Sequence, residues 1–430
     1  MHLAKSPLAP IAVSVSLLIL FAVIAGAQTE AVLFSFANDG SNGMSPEGAL
    51  VFDAAGNLYG TTSSGGRQEG CGQNCGTIFE LSPSVGGGWA QQVLYEFSPP
   101  DGYVPAAGVA FDKSGNLYGT TYVGGANDCG VVFELSPQAG GTWTQKVLYS
   151  FTGSPDGCEP ESGVIFDAAG NLYGMTAFGG NPTCPTFPFS CGIVFELMPQ
   201  PDGSWKEEIL HSFSNARHDG YNPWSAGLVF DAIGNLYGTT SAGGSYQTKT
   251  GFGGTVFELS PKKKGRWSEK ILHSFGHKKD GTYPQGNLVF DANGNIYGMT
   301  YAGGANSYGT VFELSPKVSG RGWIENVIHS LNYNGVDGYE PHGPSLIIDA
   351  AGNLYGTTNL GGTADGGIVF ELTPGQGGAW TEEILHNFSF NDGDGNDPSS
   401  GLIFDSAGNL YGTTIVGGAY NGGTVFEILP

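Results

Sequence analysis

Seven times along the chain a proline is followed by a residue that changes from copy to copy: Glu47, Ala106, Glu161, Trp224, Gln285, His342 and Ser399. Glu47 and Glu161 are the residue types that glycoside cleavage needs, two acids at a defined separation, and His342 is a third catalytic candidate. The same series suits recognition without chemistry. A fixed loop offering Glu47, Glu161, Trp224, Gln285, His342 and Ser399, with the nearby loop aromatics Tyr103, Tyr221, Tyr283 and Tyr339, could stack on sugar rings and bond their hydroxyls. An unconstrained surface position would vary in the same way, so the residue types alone leave the choice open.

Other constellations recur too regularly to mark one reactive centre. Asp53, Asp112, Asp167, Asp231, Asp291, Asp349 and Asp405 each precede a Gly-Asn pair. A ring of metal sites is one reading, and an aspartate accepting bonds inside its own turn is the simpler one. Glu80, Glu134, Glu196, Glu258, Glu313, Glu371 and Glu427 lie between apolar residues, where buried carboxylates would need partners from neighbouring threonines and tyrosines. His211, His273, His329 and His386 exchange with Tyr95 and Tyr149 at one position, which reads as amphipathic packing rather than a ligand set. Asp392, Asp394, Asn396 and Asp397 form the densest oxygen cluster and are the candidates for calcium, although an EF-hand's glycine and final glutamate are missing. No nucleophile elbow, metalloprotease helix motif or phosphate loop occurs. The basic run Lys262–Lys264 with Arg266 reads as a solvated hairpin.

Six cysteines fall between Cys71 and Cys191, and an even number in an exported chain implies disulfides. Cys71 with Cys75 and Cys184 with Cys191 would close small loops, leaving Cys129 with Cys158. Zinc at Cys71-x-x-x-Cys75 is the rival, but no second pair or histidine lies nearby in sequence.

The elements that must position these residues come from a repeat. Asp-x-x-Gly-Asn-Leu-Tyr-Gly-Thr-Thr or a close variant occurs seven times, its tyrosines being Tyr59, Tyr118, Tyr173, Tyr237, Tyr297, Tyr355 and Tyr411, at intervals of 59, 55, 64, 60, 58 and 56 residues. Each period holds four short β-branched and aromatic runs separated by Gly, Pro, Asn and Asp, and helical periodicity is absent after the first thirty residues. In the first copy these runs are 50–53, 57–62, 77–83 and 89–97. Four antiparallel strands repeated seven times predict an all-β, seven-bladed β-propeller. The chain starts with an isolated fourth strand, 31–36, and stops after the third strand of the last copy. Closing the ring with 31–36 removes both exposed edges. The blades are expected at about 45–98, 104–152, 160–214, 223–276, 284–332, 341–389 and 398–430, with the first strand of each innermost and the variable loops sharing one face.

Residues 1–27 resemble a secretory signal: Lys5, an apolar run from Ile11 to Ile24, and the small residues Ala25-Gly26-Ala27. The run is short of the roughly 20 residues of a spanning helix, so a secreted domain, 28–430, is expected in the extracellular space or periplasm. With 16 Lys plus Arg against 39 Asp plus Glu, the formal charge of -23 disfavours nucleic acid and anionic membranes as partners.

The Asp-x-x-Gly-Asn-Leu-Tyr-Gly-Thr-Thr motif, the following Gly-Gly and the Gly-Thr-Val-Phe-Glu-Leu run resemble the tandem-repeat GloVer-containing proteins of bacteria, over nearly the whole chain after the leader. They are similar, more distantly, to NHL and kelch blades. The resemblance implies secretion or surface display with no assigned activity. Members often carry a C-terminal sorting anchor, which a chain closing on its last strand is not expected to have. The expected function is non-catalytic binding of a glycan or a cell-surface protein by a monomer, without a cofactor unless calcium. An extracellular polysaccharide lyase or glycosidase and a purely structural surface repeat are the alternatives.

Overall fold

Each repeat opens with a hairpin that its own side chains build. In the first, Asp53 Oδ1 accepts the N–H groups of Ala55 at 2.8 Å and Asn57 at 2.9 Å. Asp53 Oδ2 accepts Asn57 Nδ2 at 2.8 Å and the Tyr59 hydroxyl at 3.3 Å. Gly56 takes a φ of +87°, which L side chains resist. The same set recurs down to Asp405 with Ala407, Asn409 and Tyr411. Burial alone would raise these carboxyls, but the bonds outweigh it and hold Asp53, Asp231 and Asp291 below the ordinary range. The turn therefore uses these aspartates fully.

The computed structural model describes residues 29–66, 70–72, 75–182, 184, 191–214, 216, 218–246, 253–277, 279–318, 320, 322–343, 345–390 and 393–429, so the expected leader lies outside them. Blade 1 is Val51–Phe52, Leu58–Thr62, Thr77–Pro83 and Trp89–Glu96, hydrogen-bonded in that order as an antiparallel sheet. Blades 2 to 6 repeat it. Blade 5 departs only in its longer first two strands, Gly281–Phe290 and Ile296–Gly303. The seventh sheet consists of Ile403–Phe404, Leu410–Thr414, Asn421–Leu429 and Thr29–Ala37, with Ala31 opposite Glu427 and Ser35 opposite Thr424. The first strand thus completes the last blade, and the ring closes as the phase of the repeat predicts.

Cores form between blades rather than within them. Phe79 of the third strand lies across Gly60, where a Cβ would sit 2.6 Å from its ring, so the central glycine of the motif is a packing requirement. Tyr59 meets Phe111 of the next blade at 5.0 Å and Trp143 at 6.4 Å, both edge to face. The Thr61 hydroxyl reaches across to the Ala107 carbonyl at 2.9 Å, and Thr413 does the same to Pro46 at 2.9 Å. At the closure Phe36 packs on Phe79 at 5.1 Å.

The third-strand glutamates are half-buried and find the expected tyrosines, Tyr173 donating to Glu196 at 2.7 Å and Tyr355 to Glu371 at 3.1 Å. The second-strand Thr62 bonds Thr77 at 2.8 Å, while third-strand hydroxyls reach the carboxylates, Ser82 donating to Glu80 at 2.9 Å and Thr373 to Glu371 at 3.3 Å. A bulge also recurs between third and outer strands, as at Ile78/Phe79 and Val194/Phe195. It turns the following residue, Tyr95 or His211, toward the neighbouring blade.

On one face the loops entering each blade pair with the segment leaving its second strand, as Gly157–Cys158 with Phe178–Gly179 and Gly338–Tyr339 with Leu360–Gly361. Disulfides join Cys71–Cys75, Cys129–Cys158 and Cys184–Cys191 in these loops.

Candidate functional site

Because the innermost strands begin just after the variable loops, those loops converge on the ring axis. They enclose a cavity of about 300 Å³ to which all seven blades contribute, through Glu47, Ala106, Glu161, Trp224, Asn287, His342 and Ser399 among others. Backbone packs tightly at its floor: a Cβ on Gly108 would stand 2.5 Å from the Ala49 carbonyl oxygen.

The electrostatics of the cavity are acidic. Glu161 Oε2 accepts the Ser225 N–H at 3.3 Å, yet burial, reinforced by the charges of Glu159 and Glu47, pushes its carboxyl up to about 8. Burial also raises Glu47, against a 2.7 Å bond from Ser63 Oγ and with repulsion from Asp397 added. Asp397 is raised by burial in turn, and accepts Asn359 Nδ2 at 2.6 Å. Asn359 Oδ1 accepts the backbone N–H of His342. The His342 ring stands edge-on to Trp224 at 6.2 Å and Tyr301 at 5.8 Å. Among the described lining residues there is no lysine or arginine. The site can therefore donate protons from carboxyls and stack on apolar faces, and it opposes anions.

Of the residues singled out in the sequence, Glu47, Glu161, Trp224, His342 and Ser399 line this one cavity. Gln285 is buried behind it, its Oε1 accepting the Gly343 N–H at 3.2 Å, so it braces the wall. Tyr103 and Tyr339 bond Asp128 at 3.3 Å and Asp365 at 2.9 Å in the outer loops, and Tyr221 lies partly buried against a blade core. Tyr283 reaches the cavity indirectly, edge-on to Tyr301 at 6.3 Å. Of the four residues expected to hold calcium, three are described, and these face different neighbours. Asp392 lies outside the described residues, Asp394 faces His386 at 3.4 Å, Asn396 is buried in pairing with Val416, and Asp397 turns to the axis.

Two further variable positions went unnoticed. The residue before each proline, Ser45, Val104, Glu159, Asn222, Tyr283, Glu340 and Asp397, has φ between +50° and +60° in every copy. In five copies its carbonyl receives the N–H of the residue after the second strand, for example Ala177 on Glu159 and Ile415 on Asp397, both at 3.0 Å. That partner also varies, and supplies Ser63, Tyr122, Tyr301 and Asn359. The signal was present as variability immediately beside two invariant anchors.

At the outer-strand position of His211, His273, His329 and His386, three rings lie edge-on against phenylalanines, as His211 on Phe213 at 4.7 Å, and each Nε2 faces an aspartate of the loop that follows.

Among curated proteins, none matches the chain in sequence. Among solved structures, a crystal structure from Bacteroides uniformis bearing the provisional name 6-phosphogluconolactonase is similar in fold. Its TM-score is 0.50 at 15% identity, over 83% of this chain and 88% of that one. The Gloeobacter/Verrucomicrobia repeat matches at residues 19–250, 144–341 and 319–430. Together these matches span every blade, and the chain belongs to the Gloeobacter/Verrucomicrobia repeat family.

Proposed function

We propose that this propeller is an exported binding protein whose axial cavity takes a neutral, hydroxyl-rich ligand of sugar size, such as the end of a glycan. The observation that carries the reading is the convergence of non-repeating residues, one or more from each blade, on a single acidic and aromatic cavity. Trp224 offers a face for a pyranose ring, while Glu47, Glu161 and Ser399 offer donors and acceptors for hydroxyls. A net charge of -23 and a lining without lysine or arginine oppose phosphorylated ligands, so a phosphosugar lactone of the kind that the similar structure's name implies is a poor fit. Three disulfides support an oxidising, extracellular or periplasmic location, and among the described residues no helix is long and apolar enough to cross a membrane.

A second reading, hydrolysis, is favoured by the burial of Glu161, which with the charges of Glu159 and Glu47 pushes its carboxyl up to about 8, the direction that a general acid needs. A glycan-array screen of the untagged mature protein, with and without calcium, separates the two. Binding that falls at least tenfold in Trp224→Ala and His342→Ala but survives Glu161→Gln supports recognition. Binding that is indifferent to both aromatic-side substitutions removes the axial site, and release of new reducing ends that Glu161→Gln abolishes would replace binding with catalysis.

A further inference from the structure

Far from the axis, at the outer seams between blades, one arrangement recurs four times: His211 with Asp219 and Glu269, His273 with Asp280 and Glu325, His329 with Asp337 and Glu382, and His386 with Asp394 and Glu30. The histidine comes from the outer strand of one blade, the aspartate from the loop that follows, and the glutamate from the outer strand of the next blade. From these seams we propose that the propeller binds divalent metal ions of the zinc type, one at each His–Asp–Glu cluster, which clasp adjacent blades together.

In three of the four seams the separations are those of ligands around an ion rather than of partners in a hydrogen bond. His211 Nε2 stands 3.6 Å from Asp219 Oδ1 and 3.5 Å from Glu269 Oε1. His329 Nε2 stands 3.3 Å from Asp337 and 3.4 Å from Glu382, and His386 Nε2 stands 3.4 Å from Asp394. Hydrogen bonds between nitrogen and oxygen run about 2.7–3.2 Å. Ligand bonds of about 2.0–2.1 Å at tetrahedral angles put neighbouring donors about 3.3–3.4 Å apart.

The donor atoms are buried and unpartnered. His211 Nε2, Asp219 Oδ1 and Glu269 Oε1 have no hydrogen-bond partner, and neither do His329 Nε2, Asp337 Oδ1, Glu382 Oε1, His386 Nε2 or Glu30 Oε1. Asp337, only 6% exposed, is among the most enclosed. Elsewhere on Asp219 the other oxygen is fully engaged, by Ser214 N–H at 2.9 Å and Ser214 Oγ at 2.6 Å, which fixes the carboxylate with its free oxygen toward the seam. Two carboxylates beside one imidazole leave uncompensated negative charge in a place poor in water.

The seven internal copies act as their own comparison. Wherever the first position is histidine the third is glutamate. The hydroxyl of Tyr149 takes the central place between Asp156, at 3.2 Å, and Glu207, at 3.1 Å. At the seams of Tyr95 and Phe34 the third position is Gln145 or Gln91, each spent on a loop carbonyl. Only the His273 seam is partly closed, with a 2.9 Å bond to Asp280, and it opens onto a surface groove of about 770 Å³. The division along the chain is also complementary: disulfides lie between Cys71 and Cys191, and the histidine seams follow from His211 onward.

The test is equilibrium dialysis of the untagged, chelator-stripped mature protein against ZnCl2, with bound metal counted by atomic absorption, and with CoCl2, read by the strong visible absorption of four-coordinate cobalt. Three or four equivalents are expected. His329→Tyr, which installs the natural occupant of other seams, should lose one equivalent, and Tyr149→His, facing Asp156 and Glu207, should gain one. The cobalt spectrum should fall and rise in step, and zinc should raise Tm in the wild type. Uptake of two equivalents or fewer, or a stoichiometry that neither substitution moves, overturns the proposal and leaves protonated histidines as the countercharge.

Discussion

At the scale of single residues the axial carboxyls set the behaviour with pH. Glu161 is raised from 4.5 to about 8 in the folded chain, so the folded form holds this proton more tightly than the unfolded form does. Its contribution to stability therefore falls as pH rises from about 4.5 toward 8 and is level above that. Glu161→Gln should remove that slope and stabilise the protein at pH 9 by on the order of 2 kcal/mol, less than the full shift implies because water enters the cavity mouth. Urea unfolding at several pH values checks this, and an unaltered slope would place the proton elsewhere. Glu161 was legible from its place after an invariant proline. Glu159 was not, and Asp397 was legible only as part of an oxygen cluster, because a left-handed backbone at residues such as Glu, Tyr or Val is dictated by the surrounding loop rather than by the side chain.

At the scale of the element, the hairpin and the strand beside it follow directly from the motif. Asp, Gly and Asn make the turn, and the glycine between Tyr and Thr gives room to a phenylalanine ring. Gly238→Ala would bring a Cβ within 2.7 Å of the Phe257 ring. It should cost about 1–3 kcal/mol, seen as a lower denaturation midpoint with an unchanged slope. The strands, their order and the antiparallel pairing could all be read from alternation and turn residues. The outer-strand bulge could not, since an inserted residue leaves no compositional mark. Without it, a sequence reading goes no further than amphipathic packing for His211 and its equivalents, whereas His211 and His329 each meet a glutamate of the next blade.

At the scale of the whole molecule, Thr29–Ala37 completes the seventh blade and so closes the ring. The phase of the repeat alone foretold it, because a lone outer strand at one end and a missing one at the other have only one economical solution. Phe36 stands fully buried between the last blade and the first. Phe36→Ala should lower stability by about 3–5 kcal/mol in thermal or chemical unfolding, and a smaller loss than at an equivalent such as Phe275 would mean that the clasp is not shared by both blades. The arrangement also has an intermolecular side. A latch contributed by an early strand and received by a late one is, until the late one has been made, a loose tongue and an empty slot. At high concentration the tongue of one molecule fits the slot of another equally well, so exchanged dimers are the characteristic error of this architecture.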